Sequence, residues 1–257
     1  MRLSIHAVRA GMGLLLALAC AAAQADMADL IPRVKPAVVM VGTYRATDSP
    51  RFGFRGSGFV VDDGLHVITN AHVLPDQSVE TVSADMAVLV ADGHGHWTQR
   101  KVESVRVDPS HDLAELKIDG AVAPALRLSD APVREGQGIG LMGFPLAGTV
   151  GFTVVTHRGI VSAITAIVQP PPTSHALSTR AVRQLREGSF DVLQLDATAY
   201  PGNSGGPVFD AETGEVLGVV SMVVVKGTRE SALSAPTGIT YAVPAATVRE
   251  FMQHTQP

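Results

Sequence analysis

A serine set among glycines, in the segment 202–207 (GNSGGP), constrains this chain more than any other feature. Glycine at this density disfavours a packed strand, because glycine loses more backbone entropy on folding than any other residue. A serine nucleophile needs such a backbone, since the chain has to turn sharply and expose both the hydroxyl of Ser204 and nearby amide N–H groups. An ordinary turn between two strands is the alternative interpretation. The residues upstream of the segment decide between the two.

Two candidate partners for Ser204 lie upstream. His72 follows a predicted hairpin, residues 59–69, at the point where its second strand ends. Asp112 begins a predicted strand, residues 113–118, where its carboxylate can accept a hydrogen bond from the Nδ1–H of an imidazole. The order histidine, aspartate, serine is that of the chymotrypsin type of double barrel. It differs from the orders found in subtilisin and in α/β-hydrolases.

The chain resembles the protease domain of the HtrA/Deg family of trypsin-like serine proteases over residues 30–251, in the segments GSGFVV, TNAHV, HDLAELKI, GNSGGPV and ITYAVP. The resemblance implies that His72 is the general base, Asp112 the residue that orients it and Ser204 the nucleophile. It also implies that the N–H groups of Gly202 and Ser204 form an oxyanion hole, with no metal and no cofactor. We expect a serine endopeptidase that acts on unfolded or extended polypeptides, in protein quality control of the cell envelope.

The expected fold is all-β, with two chymotrypsin-like six-stranded antiparallel β-barrels and a short C-terminal helix. The N-terminal barrel, residues 26–125, contains His72 and Asp112, and the C-terminal barrel, residues 126–257, contains Ser204. Short apolar or alternating runs between turn-forming residues predict the strands. Apolar residues at helical spacing predict the closing helix. The active site is therefore expected at the seam where the two barrels meet.

Glu115 departs from the pattern of the family, and Asn203 differs from digestive enzymes of the same fold. Its strands after the aspartate usually run apolar, whereas Glu115 interrupts this one; alternation places it opposite Ala114 and Leu116, so we expect it to be exposed to solvent. Asn203 precedes Ser204 where digestive enzymes of this fold have an aspartate that pairs with a newly freed N-terminus. Asparagine cannot make that ion pair. We therefore expect control by the ordering of loops rather than by N-terminal cleavage.

The resemblance also indicates where substrate binds. Thr198 and Ala199 match the base of the pocket for the side chain before the scissile bond, and neither is acidic, which argues against lysine or arginine there. Ser221, Met222 and Val223 match the segment whose backbone pairs with an extended substrate, a form of β-strand addition. We expect a small or medium apolar residue, valine or alanine, before the scissile bond.

The N-terminus, residues 1–25, has the features of a secretory signal peptide. Basic residues precede an apolar run that ends at Cys20 and is too short to span a bilayer, and an Ala-x-Ala site predicts cleavage after Ala25. A lipoprotein anchor on Cys20 is the alternative. Loss of Arg2 and Arg9 with the signal changes the formal net charge from −4 to −6. This acidity gives no electrostatic reason for nucleic acid binding. A periplasmic or secreted protein is expected, with no stable membrane insertion after the signal is removed.

Polypeptide substrates are the expected partners, and the resemblance implies a homo-oligomer, since trimers are common in the family. Many members carry one or two PDZ domains after the protease, whereas this sequence stops at Pro257. A protease domain without a PDZ domain is therefore expected. Two alternatives to a general endopeptidase stay open. One is a processing protease of narrow specificity, and the other is a weakly active chaperone or scaffold with the same fold.

Three further features have two interpretations each. His94 and His96 are spaced as a metal-binding pair, but the glycines around them are equally typical of a hairpin tip. Residues 170–189 form an insertion that is either a solvated surface loop or a loop that regulates the site. His111, beside Asp112, is either a second titrating group or a residue on the rim of the site.

Overall fold

The computed structural model describes residues 26–75, 85–92, 95–147, 151–166, 190–221 and 239–254. Within these ranges, helix α1 (Met27–Val34) precedes the first strand and helix α2 (Ala245–Gln253) follows the last. The first six strands are β1 (Val38–Tyr44), β2 (Phe52–Val61), β3 (His66–Thr69), β4 (Asp85–Ala91), β5 (Trp97–Asp108) and β6 (Leu113–Ile118). The next six are β7 (Gly138–Gly143), β8 (Val155–Ala166), β9 (Asp191–Asp196), β10 (Pro207–Asp210), β11 (Val216–Val220) and β12 (Ile239–Pro244). Neither α1 nor α2 is long and apolar enough to cross a membrane.

Each set of six strands closes into an antiparallel barrel. The strand order is β1-β2-β3-β6-β5-β4 in the first barrel and β10-β11-β12-β9-β8-β7 in the second. The prediction of an all-β fold with two six-stranded barrels and a short C-terminal helix is confirmed. The predicted division between residues 125 and 126 lies in the connection from β6 to β7, and its meaning as a domain boundary stays a prediction.

Strands that contact the other barrel bury both of their faces. In β1, Val39 belongs to the core of the first barrel, whereas its neighbour Val38 belongs to the apolar cluster between the barrels. In β10, Val208 and Phe209 divide in the same way between the core of the second barrel and that cluster. Since both faces are buried, these strands need continuous apolar runs rather than strict alternation.

Two strands are longer than the sequence predicts. Strand β2 begins at Phe52 rather than at Phe59, and it pairs with β1 from Phe52 to Phe59 despite an irregular register at Val41/Gly42. For β5, the sequence predicts a start at Lys101, whereas the strand begins at Trp97. The early part of β2 is rich in glycine and that of β5 in polar residues. Pairing with a neighbouring strand, which local composition does not report, sets their true ends.

The prediction that Glu115 is exposed is wrong. Its side chain is 7% exposed and accepts a hydrogen bond from Nη1 of Arg106, on the neighbouring strand β5, at 2.8 Å. Nη2 of the same guanidinium donates to the carbonyl oxygens of Phe251 and His254, both at 2.7 Å. Helix α2 therefore ends over this face of the first barrel and covers Glu115. A long-range contact has overridden the strand alternation.

We expect Arg106→Ala to lower the free energy of unfolding by about 2–3 kcal/mol, because Glu115 would keep a buried charge without its partner and α2 would lose its contact to β5. Lys117→Ala is the matched control: its ion pair with Glu103 spans 3.5 Å between side chains that are about half exposed, and it should cost less than about 0.5 kcal/mol. Urea denaturation measures both. Equal losses in the two variants would contradict the role given to Arg106.

Candidate active site

His72 lies in a short 3-10 turn, Ala71–Val73, that follows β3. Arg55 on β2 fixes the end of this turn, because its Nε donates to the carbonyl of Val73 at 2.7 Å and its Nη2 donates to the carbonyl of Leu74 at 3.0 Å. The His72 side chain is 27% exposed, so one edge of the imidazole remains accessible. The other edge contacts Asp112.

The carboxylate of Asp112 is in hydrogen-bond contact with His72. Oδ2 lies 2.8 Å and Oδ1 3.0 Å from Nδ1 of His72, and Oδ1 also accepts the His72 backbone N–H at 3.1 Å. The main chain of Asp112 has φ +57°, in the left-handed region that non-glycine residues rarely adopt. Its carbonyl accepts from Nδ2 of Asn70 at 3.0 Å and from the N–H of Ala71 at 3.1 Å. These contacts stabilise the unfavourable backbone conformation.

The turn that leads to Asp112 is organised by Asp108. Its Oδ1 accepts from the N–H of Ser110 at 3.0 Å, from that of His111 at 3.3 Å, and from the Ser110 hydroxyl. Its Oδ2 lies 2.5 Å from Nδ1 of His111, whose ring packs edge-on against Phe190 with centroids 4.6 Å apart. The His111 side chain is 32% exposed. It is thus a partly exposed residue paired with Asp108.

Ser204 lies in the tight turn between β9 and β10. The N–H of Asn203 donates to the carbonyl of Tyr200 at 2.9 Å, and Gly202 within this turn has φ +103°. A Cβ at Gly202 would lie 2.2 Å from the carbonyl oxygen of Phe144. Both the backbone conformation and the lack of space therefore require glycine there.

Two N–H groups of this turn lack an acceptor within the described ranges. Those of Asn203, Gly205 and Gly206 donate to carbonyl oxygens at 2.9 Å. Those of Gly202 and Ser204 have no acceptor among the residues that the structure describes. Two unused amide donors beside a serine hydroxyl are the arrangement that can bind an oxyanion.

Contacts across the seam bring the Ser204 turn next to the His72 turn. The backbone N–H of Ser57 donates to the carbonyl of Ser204 at 2.9 Å. A Cβ at Gly56 would lie 3.1 Å from that same carbonyl and 2.7 Å from the side chain of Val73, the residue after His72. Ser204 is 6% exposed, and its hydroxyl makes no hydrogen bond to another described residue. Catalytic hydrogen bonds are often long or poorly aligned in enzymes without substrate.

The structure places Thr198 and Ala199 just before this turn, both half-buried. The N–H of Ala199 donates to Oγ1 of Thr240 at 3.1 Å, and Thr240 donates to the carbonyl of Ala197 at 2.6 Å. Strand β12 therefore fixes the path of the chain through the predicted pocket residues. Their side chains are small and uncharged.

The sequence predicts that the backbone of Ser221 pairs with substrate. In the structure, its side chain also contacts the site. It is fully buried, and its Oγ donates to Oδ2 of Asp112 at 2.8 Å. Its N–H donates to the carbonyl of Tyr241 in β12 at 2.9 Å. The second barrel thus supplies a donor to the carboxylate that the first barrel carries. Met222 and Val223 lie outside the described residues.

Four residues of the site, namely Arg55, Ser57, Asn70 and Ser221, have side-chain contacts that the sequence alone did not predict. Ser57 and Asn70 belong to GSGFVV and TNAHV, two of the segments that carry the family resemblance. Their partners, however, lie on other strands. Arg55 and Ser221 carried no local signal for these side-chain roles.

Several predictions fall on residues that the structure does not describe: the signal peptide with Cys20, the insertion 170–189, and His94. His96 is described, and its Nδ1 lies 3.2 Å from Oδ2 of Asp92. Within the described ranges, no three histidine, cysteine, aspartate or glutamate side chains are grouped as a metal would require. Control by loop ordering stays a prediction.

The chain is similar to known proteins in sequence and in fold. The family model described as "Trypsin-like peptidase domain" matches residues 56–219. A probable periplasmic serine endoprotease DegP-like of Brucella suis biovar 1 (strain 1330) is 31% identical over 202 residues, 76% of this chain and 32% of the relative. Serine protease HTRA3 of Homo sapiens is 29% identical over 239 residues, 90% of this chain and 45% of the relative. The chain thus spans less than half the length of either relative.

Solved structures with a similar fold include Deg5 and an HtrA-type protease. The crystal structure of Deg5 has a TM-score of 0.61 and 25% identity, covering 87% of this chain and 90% of that one. The HtrA-type protease AlgW with tripeptide has a TM-score of 0.59 and 27% identity, covering 89% of this chain and 63% of that one.

The Asp108 turn predicts a loss of stability in acid. Burial disfavours the charged carboxyl, but hydrogen bonds from His111 and Ser110 outweigh it and lower the pKa of Asp108 from 3.8 to about 2. The unfolded chain therefore binds this proton more tightly, so the charged group stabilises the fold above about pH 4 and the contribution is lost as the pH falls towards 2. We expect Asp108→Asn to cost about 2 kcal/mol at most near neutral pH.

Urea denaturation of both proteins over this pH range measures the effect. The difference in free energy of unfolding between wild type and Asp108→Asn should shrink as the pH falls from about 4 to about 2. A difference that stays constant throughout would show that the charge of Asp108 contributes nothing.

Proposed function

The chain belongs to the trypsin-like peptidase family, and we propose that it is a serine endopeptidase of the HtrA/Deg type, with Ser204, His72 and Asp112 as its catalytic triad. The observation that carries the proposal is the contact between Asp112 and Nδ1 of His72 at 2.8 Å. Beside it, the serine turn has two amide donors without an acceptor in the described part of the chain. An orienting carboxylate on Nδ1 leaves Nε2 as the nitrogen that can accept a proton.

In the proposed mechanism, substrate binding brings Nε2 of His72 and the hydroxyl of Ser204 into contact. His72 removes the hydroxyl proton as Ser204 attacks the peptide carbonyl carbon. Asp112 keeps the imidazole in the required tautomer and stabilises the imidazolium that forms. The donor from Ser221 stabilises the same carboxylate from its other side.

The N–H groups of Gly202 and Ser204 stabilise the oxyanion of the tetrahedral intermediate. Its collapse breaks the peptide C–N bond, while the proton on His72 passes to the leaving amine and an acyl ester stays on Ser204. Water, activated by the same imidazole, then hydrolyses the ester and restores the serine. No metal or cofactor enters any step.

The proposed substrates are unfolded or extended polypeptides. One solved structure similar to this chain is of an HtrA-type protease with a tripeptide, which favours an extended peptide ligand. The small uncharged side chains of Thr198 and Ala199 favour a small or medium apolar residue before the scissile bond.

The proposed location is the periplasm or the cell exterior, and the proposed role is quality control of envelope proteins. The name of the Brucella relative, a probable periplasmic serine endoprotease, supports this location. So does the signal-like segment at residues 1–25, with cleavage after Ala25. Assembly into a homo-oligomer stays a prediction from the resemblance.

We expect a fluorophosphonate probe to label the wild-type protein at Ser204. Ser204→Ala should abolish labelling, and either Ser204→Ala or His72→Ala should lower kcat by roughly a million-fold. Ser129→Ala is the matched control, because Ser129 is also buried but lies in the connection between the barrels; it should label like wild type. Mass spectrometry of the labelled peptide reads the result. Labelling of wild type no greater than that of His72→Ala would overturn the proposal in favour of a scaffold.

The same proteins incubated with unfolded casein distinguish the two kinds of protease. A general endopeptidase degrades casein in a Ser204-dependent manner. A labelled enzyme that leaves casein intact would instead be a processing protease of narrow specificity.

We expect peptides with valine or alanine before the scissile bond to have kcat/KM at least about tenfold higher than matched peptides with lysine or glutamate. The described part of the pocket offers no charged side chain at Thr198 or Ala199 to pair with either charge. Steady-state kinetics on a peptide series that varies only this residue measures it. Preference for lysine would contradict the assignment of these residues to the pocket.

A further inference from the structure

Ser57, on β2 of the first barrel, has no exposed surface and no part in the mechanism above. Its hydroxyl donates to the carbonyl of Gly202 at 2.6 Å and accepts from the N–H of Phe144 at 3.0 Å. Its N–H donates to the carbonyl of Ser204 at 2.9 Å, and its own carbonyl accepts from the hydroxyl of Thr69 at 2.7 Å. Three of these four hydrogen bonds cross from the first barrel to the second.

The two carbonyls that Ser57 binds belong to Gly202 and Ser204, the two residues whose N–H groups would bind the oxyanion. We infer that Ser57 is a positioning residue for the oxyanion hole, an inference that rests on the proposed protease function. Through its hydroxyl and its backbone N–H, the first barrel fixes the backbone of the second where transition-state charge develops.

The hydroxyl acts on both peptide groups next to Gly202. It binds the Gly202 carbonyl directly and so limits rotation of a residue with unusual backbone freedom. It also binds the N–H of Phe144, which begins the segment whose Leu146 N–H donates to the carbonyl of Pro201 at 2.9 Å. The plane of the Pro201–Gly202 peptide decides where the Gly202 N–H points. The Ser57 hydroxyl therefore contacts the Gly202 carbonyl directly. Through Phe144 it also supports the segment whose Leu146 N–H binds the Pro201 carbonyl.

Space around the hydroxyl is too limited for a larger side chain to replace it. A Cβ at Gly143 would lie 2.8 Å from the Ser57 Oγ, and one at Gly205 would lie 2.1 Å from the Ser57 carbonyl oxygen. Ser57→Ala is thus the substitution that removes the hydroxyl without adding volume. It would leave the Gly202 carbonyl and the Phe144 N–H buried without this partner.

A general loss of stability has to be separated from loss of position, so the control is Val248→Ala. Val248 is fully buried in α2 and belongs to the apolar cluster between the barrels, but it makes no side-chain hydrogen bond to the site. Both variants are compared with wild type at a temperature where all three are folded. Two readouts are taken: peptide kinetics, and hydrogen exchange of the peptide that contains residues 200–206.

We expect Ser57→Ala to lower kcat at least about tenfold with KM changed less than about twofold, because a misplaced oxyanion donor acts on the transition state more than on bound substrate. Exchange of residues 200–206 should be faster in Ser57→Ala than in Val248→Ala. Val248→Ala should match wild type in both readouts after allowance for its lower Tm.

Equal kcat in Ser57→Ala and Val248→Ala, or a change confined to KM, would overturn the inference. If wild type neither cleaves peptide nor reacts with the fluorophosphonate probe, the protease proposal fails separately. The exchange measurement then decides alone: unchanged protection of residues 200–206 in Ser57→Ala overturns the positioning role, and faster exchange supports it.

Discussion

Asp112 carries a carboxylate where the two barrels meet, in a side chain that is 9% exposed, and such a group is costly to bury unless donors surround it. The donors come from both sides: the backbone and ring of His72 from the first barrel, and the hydroxyl of Ser221 from the second. The carboxylate is therefore satisfied only when the barrels are docked. Orientation of the imidazole and docking of the barrels depend on the same group.

The serine turn also depends on groups from the other barrel. It belongs to the second barrel, yet its carbonyls are bound by Ser57 of the first, and Gly205 lacks a Cβ where the Ser57 carbonyl approaches. Glycine is thus required in this turn for two structural reasons. Gly202 supplies a left-handed backbone conformation, and Gly205 also gives space to a strand of the other barrel.

Local signals were sufficient for the fold class and for the residues that now lie at the seam, because hairpins, turns and strand starts are encoded within a few neighbouring residues. They were insufficient for Glu115, whose burial depends on a helix end far along the chain, and for the hydroxyls of Ser57 and Ser221. The Ser57–Gly202 contact joins residues 145 apart in sequence. Only the docking of two closed barrels brings such partners together, and no local pattern reports it.

Each barrel has its own apolar core, so either can be complete without an intact site. The site itself rests on a small number of hydrogen bonds between the barrels. Asp112 and Leu146 are two of the three non-glycine residues with positive φ in the described ranges. Their backbone groups are held within their own barrels: the Asp112 carbonyl accepts from Ala71 in the first, and the Leu146 N–H donates to Pro201 in the second. In the proposed protease, the catalytic geometry therefore depends on these hydrogen bonds across the seam, which can be lost while the apolar core of each barrel stays intact.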